Sequence, residues 1–250
     1  MTDAMSKPDE SELLVRDHHG VRMLTLNRPN KRNAMNYTLT LALVNALEDA
    51  DENHDVGAIL ITGAGPAFCA GADLNEFKEL TGDNVELVTE RARLTTLLHS
   101  LFPKLEKPVI CAVNGAAMGG GAGLALAGDI VMAAASAKFG YPEVKHGIVA
   151  AIVMTNLVRQ VGRKTAFELV ATGQTITAGR ALELGMINHV LPDHELLVSA
   201  LAMAESLAAV KRPAMAATKR LFYEVCELPF DEALERGKHA NAAMRGFGAA

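Results

Sequence analysis

The chain has 250 residues, half of them hydrophobic, which suits one compact domain with a core large enough to need no disulfide or metal staple. The formal net charge is −5 and no basic block occurs, so nucleic acid and anionic membranes are excluded as expected partners. Three widely spaced cysteines form no CxxC pair, which indicates free thiols in a reducing compartment. The opening MTDAMSKPDESE lacks the apolar segment of a secretory signal, and no apolar run is long enough for a membrane span. We therefore expect a cytoplasmic protein.

The first hundred residues predict a tail, a hairpin, two helices and a strand. The polar residues 1–11 predict a disordered tail. LLVRD and VRMLTL, separated by a His-His-Gly turn, predict a β-hairpin. Apolar residues recur at helical spacing from about Tyr37 to Asn53 and again from about Val85 to Leu101, which predicts two helices. Between them GAILIT predicts a buried strand, and GAGPAFCAGADL a glycine-punctuated loop.

The rest of the chain predicts strands alternating with helices, and then helices alone. PVICAVNG, IVMAAA and MINHVL predict strands, SAKFGYPEVKHGI a short strand and loop, and helices are expected at about Ile152–Val161, Lys164–Thr172 and Ala178–Leu184. Buried strands that are each followed by a crossover indicate an α/β fold with a parallel sheet flanked by helices. We assign residues 12–192 to this α/β core and residues 193–250 to a helical C-terminal subdomain.

A run of small residues, NGAAMGGGAGLALAGDI, places several glycines where a helix should start. Glycine inside a helix costs about 0.5–1 kcal/mol relative to alanine, so something is expected to approach the backbone closely there. The dinucleotide-binding fingerprint fails because Leu124 stands at its third glycine, and no Gly-Lys-Ser/Thr of a Walker motif occurs. Two explanations remain: a neighbouring backbone packs against the run, or a ligand oxygen meets the unpaired amides of the helix start. FCAGADL would supply a second amide to such an oxygen from Ala70.

Five motifs in series resemble the crotonase, or enoyl-CoA hydratase/isomerase, superfamily. They are LNRPNKRNAMN, FCAGADL, NGAAMGGGAGLALAGDI, KFGYPEVKHGI and ITAGRALELGMINHVLP, in the family's order between about Leu13 and Pro192. The resemblance implies a crotonase-like spiral of ββα units, with a C-terminal helical region that builds trimers or dimers of trimers. It implies an acyl-CoA thioester as ligand, with coenzyme A as part of the substrate and no separate cofactor. The thioester carbonyl would accept hydrogen bonds from the amides of Ala70 and Gly120 as an enolate forms.

The carboxylates distinguish the reactions of this family. Hydratases of the family carry two glutamates, and at their positions this chain has Gly123 and Glu143. Family isomerases with a lone glutamate at the Glu143 position shift a double bond by removing and returning one proton. Dienoyl isomerases use an aspartate eight residues further on, where this chain has Ala151.

Three functions remain open at this point. Isomerisation by Glu143 alone is slightly favoured, because one carboxylate suffices for it. Hydration is the alternative, since segments like IVAAIV after the glutamate also occur in family hydratases that act on branched substrates. An acyl-CoA-binding protein without turnover is the alternative from another class of protein.

The family also implies which residues contact the CoA portion of the substrate. The expected contacts are Ala70, Gly71, Ala72, Asp73, Leu74, Gly119 and Gly120, with Lys31, Arg32 and Lys219 near the CoA phosphates. Asp73 is equally suited to cap the helix that begins with LNEFKEL, and a solvated loop is the alternative for Lys31 and Arg32. Asp129 is expected to order a turn and His146 to be a spectator. No histidine spacing indicates a metal.

Overall fold

The computed structural model describes residues 11–246, so the tail predicted for residues 1–11 lies outside the described residues except for Ser11. The strands are β1 (Leu13–His18), β2 (Val21–Leu26), β3 (Ala58–Gly63), β4 (Ala67–Cys69), β5 (Val109–Val113), β6 (Ala116–Met118), β7 (Ile130–Ala134), β8 (Lys138–Gly140), β9 (Thr175–Thr177) and β10 (His189–Leu191). The α-helices are α1 (Tyr37–Glu52), α2 (Leu74–Phe77), α3 (Val85–Leu101), α4 (Gly120–Ala127), α5 (Met154–Val161), α6 (Arg163–Thr172), α7 (Ala178–Glu183), α8 (Leu196–Ala208), α9 (Arg212–Val225) and α10 (Phe230–Ala243).

The large sheet is almost entirely parallel. Its strand order is β1-β2-β3-β5-β7-β10, and β1 pairs antiparallel with β2 through the predicted hairpin while the other pairs are parallel. The five residues of β5 are all buried, as in parallel strands that are covered on both faces. The predicted hairpin and parallel sheet are confirmed.

A second, smaller sheet follows the order β4-β6-β8-β9. Its strands were predicted only in part, because β4 and β6 are three residues long and lie inside glycine-rich segments. Each of them follows a strand of the large sheet. Three successive strand pairs therefore contribute one strand to the large sheet and one to the small sheet before the next helix: β3-β4, β5-β6 and β7-β8. This repeat is the expected spiral of ββα units.

The helices after residue 192 have contacts of two kinds. Helix α8 covers one face of the large sheet through contacts with β2, β3, β5 and β7. Helix α9 is tied to the core by Asp129, whose carboxylate accepts hydrogen bonds from Lys219 at 2.7 Å, Tyr223 at 2.7 Å and the Val109 amide at 2.7 Å. Asp129 therefore orders the approach to β7, as predicted. No helix between residues 11 and 246 has the length and apolar character that a membrane crossing requires.

Candidate active site

A cavity of about 360 Å³ opens where the small sheet meets α3 and α4. One end is formed by Gly119, Gly120 and Glu143 together with the loop after β4. The sides are residues of α3, such as Thr95, and the segment 148–153. Apart from Glu76, Arg91, Glu143, His146 and two threonines, the described lining side chains are apolar, which suits an acyl chain with one polar end.

The first wall of the polar end is the start of α4. Gly119 is the residue before the helix, with φ of 50°, and its amide donates to the Gly140 carbonyl at 2.8 Å. Gly120 is the first helical residue, and its amide has no acceptor among the described residues. An unpaired amide at a helix N-terminus carries positive partial charge, so the Gly120 N–H is a donor available to a ligand in this cavity.

The second wall is the loop after β4, and here the prediction for Ala70 is wrong. The Ala70 amide already donates to the Arg32 carbonyl at 2.9 Å. Met35 forms a parallel bridge opposite Ala72: the Met35 amide donates to the Gly71 carbonyl, and the Asp73 amide donates to the Met35 carbonyl. The Ala72 amide itself has no acceptor among residues 11–246. In such a bridge the middle residue turns its own amide away from its partner strand.

The two free amides belong to one corner of the cavity. A Cβ atom placed on Gly120 would lie 3.7 Å from the Ala72 nitrogen. Gly71 makes the approach possible, because its φ is +95° and a Cβ there would lie 2.8 Å from the Met118 carbonyl oxygen. The pair of donors that the geometry offers is therefore Ala72 and Gly120.

Glu143 lies beside this corner. It belongs to a 3₁₀ turn, Pro142–His146, and a Cβ placed on Gly119 would lie 2.6 Å from its Oε1 atom. Its Oε2 atom is buried and has no hydrogen-bond partner among the described residues. Burial raises the pKa of this carboxyl above its usual value, against a smaller opposing effect of its own backbone N–H and of His146. A carboxyl tuned in this direction is suited to accept and return a proton.

Among the described lining residues, no acid stands at the position of the second family glutamate. A Cβ placed on Gly123 would lie 2.6 Å from Val153 Cβ and 3.1 Å from His99 Cε1, so packed protein fills the space of the second family glutamate. Ala151 does line the cavity, at the position of the dienoyl-isomerase aspartate.

The other glutamate in the cavity wall is held by polar partners. Glu76 accepts hydrogen bonds from Arg91 at 3.2 Å and from the Tyr37 amide at 2.7 Å. Among the described lining residues, Glu143 is thus the carboxylate with an unbonded oxygen.

The glycine run therefore has two explanations, each true of different residues. Gly119 and Gly120 face the cavity. A Cβ placed on Gly121 would lie 2.1 Å from the Cys69 carbonyl oxygen, which is direct packing of α4 against β4. Gly123 packs against Val153.

The residues predicted to contact CoA divide into three groups. Ala70, Gly71, Ala72, Leu74, Gly119 and Gly120 line the cavity. Lys31 and Arg32 are exposed, and Arg32 is bonded to the loop through Ala70. Lys219 does not line the cavity; it is 6% exposed and donates to Asp129 and the Lys107 carbonyl.

Asp73 is the predicted cap of α2. Its carboxylate accepts from the Asn75 amide at 3.0 Å and pairs with Arg28 at 2.9 Å. Burial works to raise the pKa of Asp73, but the Asn75 amide and Arg28 together hold that pKa below its usual value. Asp73 therefore remains a carboxylate that fixes the loop carrying the Ala72 amide.

Two buried polar groups near the site are not predicted from the sequence. His99 is buried in α3 with neither ring nitrogen bonded to a described residue, and burial lowers its pKa to about 4. The Tyr141 hydroxyl is also buried without a partner, and burial followed by the charge of Glu143 raises its pKa. Nothing in the local pattern marks either residue, since a lone histidine on an apolar helix face is an ordinary core residue.

Comparison with known proteins gives the class of this chain. Residues 16–245 match the family described as enoyl-CoA hydratase/isomerase. The 2,3-dehydroadipyl-CoA hydratase of Escherichia coli (strain K12) is 37% identical over 225 residues, which are 90% of this chain and 86% of that protein. The 1,2-epoxyphenylacetyl-CoA isomerase of the same strain is 42% identical over 191 residues, which are 76% of this chain and 73% of that protein.

A solved structure agrees with the sequence relatives. The crystal structure of an enoyl-CoA hydratase from Mycobacterium smegmatis superposes with a TM-score of 0.89 at 33% identity, covering 94% of this chain and 91% of that one. The chain belongs to the enoyl-CoA hydratase/isomerase family and has the crotonase fold. The resemblance found in the five motifs is confirmed.

Proposed function

We propose that this enzyme moves a double bond in an acyl-CoA thioester by way of an enolate. The thioester oxygen lies between the Ala72 and Gly120 amides, which stabilise the negative charge as it develops. The Glu143 carboxylate removes a proton from one carbon of the acyl chain, becomes a carboxylic acid, and returns the proton to another carbon. The observation that carries this proposal is the single unbonded carboxyl oxygen beside two free amides.

Isomerisation is favoured over hydration by the wall at Gly123. Addition of water needs a base for the water and an acid for the α-carbon, and two carboxylates share these tasks most easily. Here Val153 and His99 occupy the space of the second carboxylate. A double-bond shift needs one group that cycles one proton, which Glu143 provides.

Hydration is the second candidate, because the 2,3-dehydroadipyl-CoA hydratase of Escherichia coli is similar over most of both chains. In that reaction Glu143 would take the proton of water and then protonate the α-carbon itself. An acyl-CoA-binding protein without turnover is the third candidate. It is disfavoured because the carboxyl and both amide donors are present together.

The CoA portion is proposed to leave the cavity past the loop after β4. The exposed Lys31 and Arg32 stand beside that loop and are suited to meet phosphates. Lys219 is not included, because its ammonium is buried against Asp129. We also propose a trimer or a dimer of trimers, since α9 and α10 leave Phe222 59% and Phe230 76% exposed.

The experiment uses a 3-enoyl-CoA and a 2-enoyl-CoA in deuterated water. Wild type should convert the 3-enoyl thioester to the 2-enoyl thioester, with deuterium incorporated to the extent that the Glu143 carboxylic acid exchanges with solvent before it returns its proton. Glu143→Gln should lose about 10²–10⁴ in conversion rate with thioester binding nearly unchanged. Glu76→Gln is the matched control, since it removes the other cavity carboxylate and should retain exchange. Faster water addition than isomerisation would establish the hydratase, and binding with neither conversion nor label would establish the binding protein.

A further inference from the structure

We propose that His18, His19 and Glu205, none of which lines the cavity, form a site for a transition-metal ion of the zinc class that is independent of the reaction. The three residues join the turn between β1 and β2 to the last turn of α8. Two imidazoles and one carboxylate are a donor set that borderline ions such as Zn²⁺ prefer to Mg²⁺ or Ca²⁺.

The ligand atoms have the separations that a single ion requires. His18 Nε2 lies 3.4 Å and His19 Nδ1 lies 3.2 Å from the same oxygen, Glu205 Oε1. All three ligand atoms lie within 4.8 Å of one another. Zn²⁺ binds nitrogen and oxygen at about 2.0–2.2 Å, so the edges of its tetrahedron are about 3.3–3.6 Å. The two nitrogen-to-oxygen separations match those edges within about 0.1 Å, and the two histidine nitrogens, at most 4.8 Å apart, need to approach each other only by side-chain rotation.

The hairpin turn is what brings two consecutive histidines together. Successive side chains of a strand point to opposite faces, so an extended His-His pair cannot share one ion. Here His19 has φ of 47° and Gly20 has φ of 78°, which places both in the left-handed region of a two-residue type I′ turn. The two rings then lie with centroids 4.1 Å apart. Asparagine is the usual residue at the position that His19 holds.

The surroundings favour a cation. Glu205 lies in the last turn of α8, where the helix dipole is negative. Among the described residues no lysine or arginine is paired with Glu205. The side chains of His18 and His19 are 48% and 75% exposed, which leaves room for water as a fourth ligand.

The backbone on either side is already fixed. A Cβ placed on Gly20 would lie 3.6 Å from the Ala208 Cβ, so the turn packs directly on the end of α8. An ion bound between the β1-β2 turn and α8 would link two elements that are already in contact, so no backbone rearrangement is required. Binding should therefore stabilise the folded chain, because the three ligands are assembled only in that state.

The test is a zinc titration of the untagged, chelator-treated chain by calorimetry. We expect one Zn²⁺ per chain with a Kd in the micromolar range, and no binding of Mg²⁺ at the same concentrations. At about 100-fold excess over Kd, Zn²⁺ should raise the Tm by about 5 °C. His18→Ala, His19→Asn and Glu205→Gln should each weaken binding at least about tenfold. His19→Asn suits the turn better than the native residue, so its effect is not one of folding.

Two controls exclude other sites. His194→Ala removes an exposed histidine that stands 3.5 Å from Glu195 without a second histidine, and Cys226→Ser removes the exposed thiol. Both should bind Zn²⁺ within about twofold of wild type. The proposal is overturned if the double variant His18→Ala, His19→Asn binds the same amount of Zn²⁺ with the same affinity as wild type.

Discussion

The two halves of the glycine run lie next to each other at the start of α4 and serve opposite purposes. Gly119 and Gly120 keep a corner of the cavity open beside the Glu143 carboxyl. Gly121 and Gly123 are closed off, the first by a backbone carbonyl and the second by Val153. The absence of a glycine side chain thus leaves room for a ligand in the first half and for close packing of the protein in the second.

This difference also explains the lone acid. Where family hydratases carry a glutamate, this chain fills the space with hydrocarbon and a neutral imidazole. Among the described lining residues Glu76 is paired with Arg91, which leaves Glu143 as the unpaired carboxylate of the cavity. A site of this kind suits proton transfer by one group.

The largest effect is expected from Gly120→Pro. Proline has no N–H, so the variant loses one oxyanion donor and should lose about 10²–10³ in turnover. Gly120 is the first helical residue, where proline is well tolerated, and the tightest contact of its Cβ would be the flexible end of Met35 at 3.1 Å. The helix should therefore survive.

Steady-state kinetics and thermal unfolding of the same samples measure the two effects of Gly120→Pro. Arg163→Pro is the matched control, because it also places proline first in a helix after a glycine of positive φ. It should retain full turnover. A folded Gly120→Pro variant with normal turnover would contradict the assignment of this amide.

In the closed half, Gly121→Ala should destabilise the fold by at least about 1–3 kcal/mol. The new methyl group would lie 2.1 Å from the Cys69 carbonyl oxygen, and a packed backbone yields little. Gly237→Ala is the control, since Gly237 lies within α10 with nothing within 4 Å of a new Cβ. That variant should gain about 1 kcal/mol from helix propensity. Equal urea-unfolding midpoints for the two would show that the run is not closely packed at Gly121.

Much of the fold could be predicted because its signals are local. The hairpin follows from alternating residues around His-Gly, and α3 from a helical period ended by Pro103. The parallel sheet follows from buried runs separated by crossovers. The three-residue strands β4 and β6 could not be predicted, because a strand that short has no measurable period.

The sequence singles out Glu143 and Gly120, and the structure places both in the cavity wall, but the sequence does not select the second amide. Ala70 and Ala72 are both small residues in one loop, and they differ in that the Ala70 amide has an acceptor among the described residues while the Ala72 amide has none. The Arg32 carbonyl that accepts from Ala70 and the Met35 residue that bridges to Ala72 both lie almost forty residues earlier in the chain. No periodicity within FCAGADL carries this information.

A smaller change would rebuild the second acid. Gly123→Glu alone should destabilise the fold by about 1–3 kcal/mol, because its Cβ would meet Val153 at 2.6 Å. Val153→Ala removes the methyl group that the new Cβ would meet at 2.8 Å but keeps Val153 Cβ, so the double variant should recover only part of that loss. If the wall at Gly123 sets the reaction, the double variant should also add water to a 2-enoyl-CoA faster, relative to isomerisation, than Val153→Ala alone. If a folded double variant has the same ratio of water addition to isomerisation as Val153→Ala, the packing at Gly123 does not determine which reaction occurs.

The smallest effect concerns His99, the imidazole behind that wall. Its pKa in the folded chain is about 4, below the ordinary value of 6.5, because burial disfavours the charged ring. As the pH falls below 6.5, His99 takes up a proton in the unfolded chain but stays neutral in the folded chain. The free energy of unfolding should therefore decrease from about pH 6.5 towards pH 4. The slope from one such group is at most about 1.4 kcal/mol per pH unit. Glu143 acts in the opposite direction, since its raised pKa favours the folded chain as pH falls.

The difference between His99→Leu and wild type isolates the histidine from that opposing effect. Leucine is of similar size and removes two ring nitrogens that have no partner among the described residues, so stability at pH 7 should be unchanged or higher. Between pH 6.5 and 4.5 the variant should lose less stability than wild type, as measured by urea unfolding at each pH. His239→Gln, an exposed histidine of α10, should follow the wild-type curve. If His99→Leu also follows that curve, the ring is protonated as readily in the folded chain as in the unfolded one, and the wall at Gly123 is then polar and hydrated rather than dry.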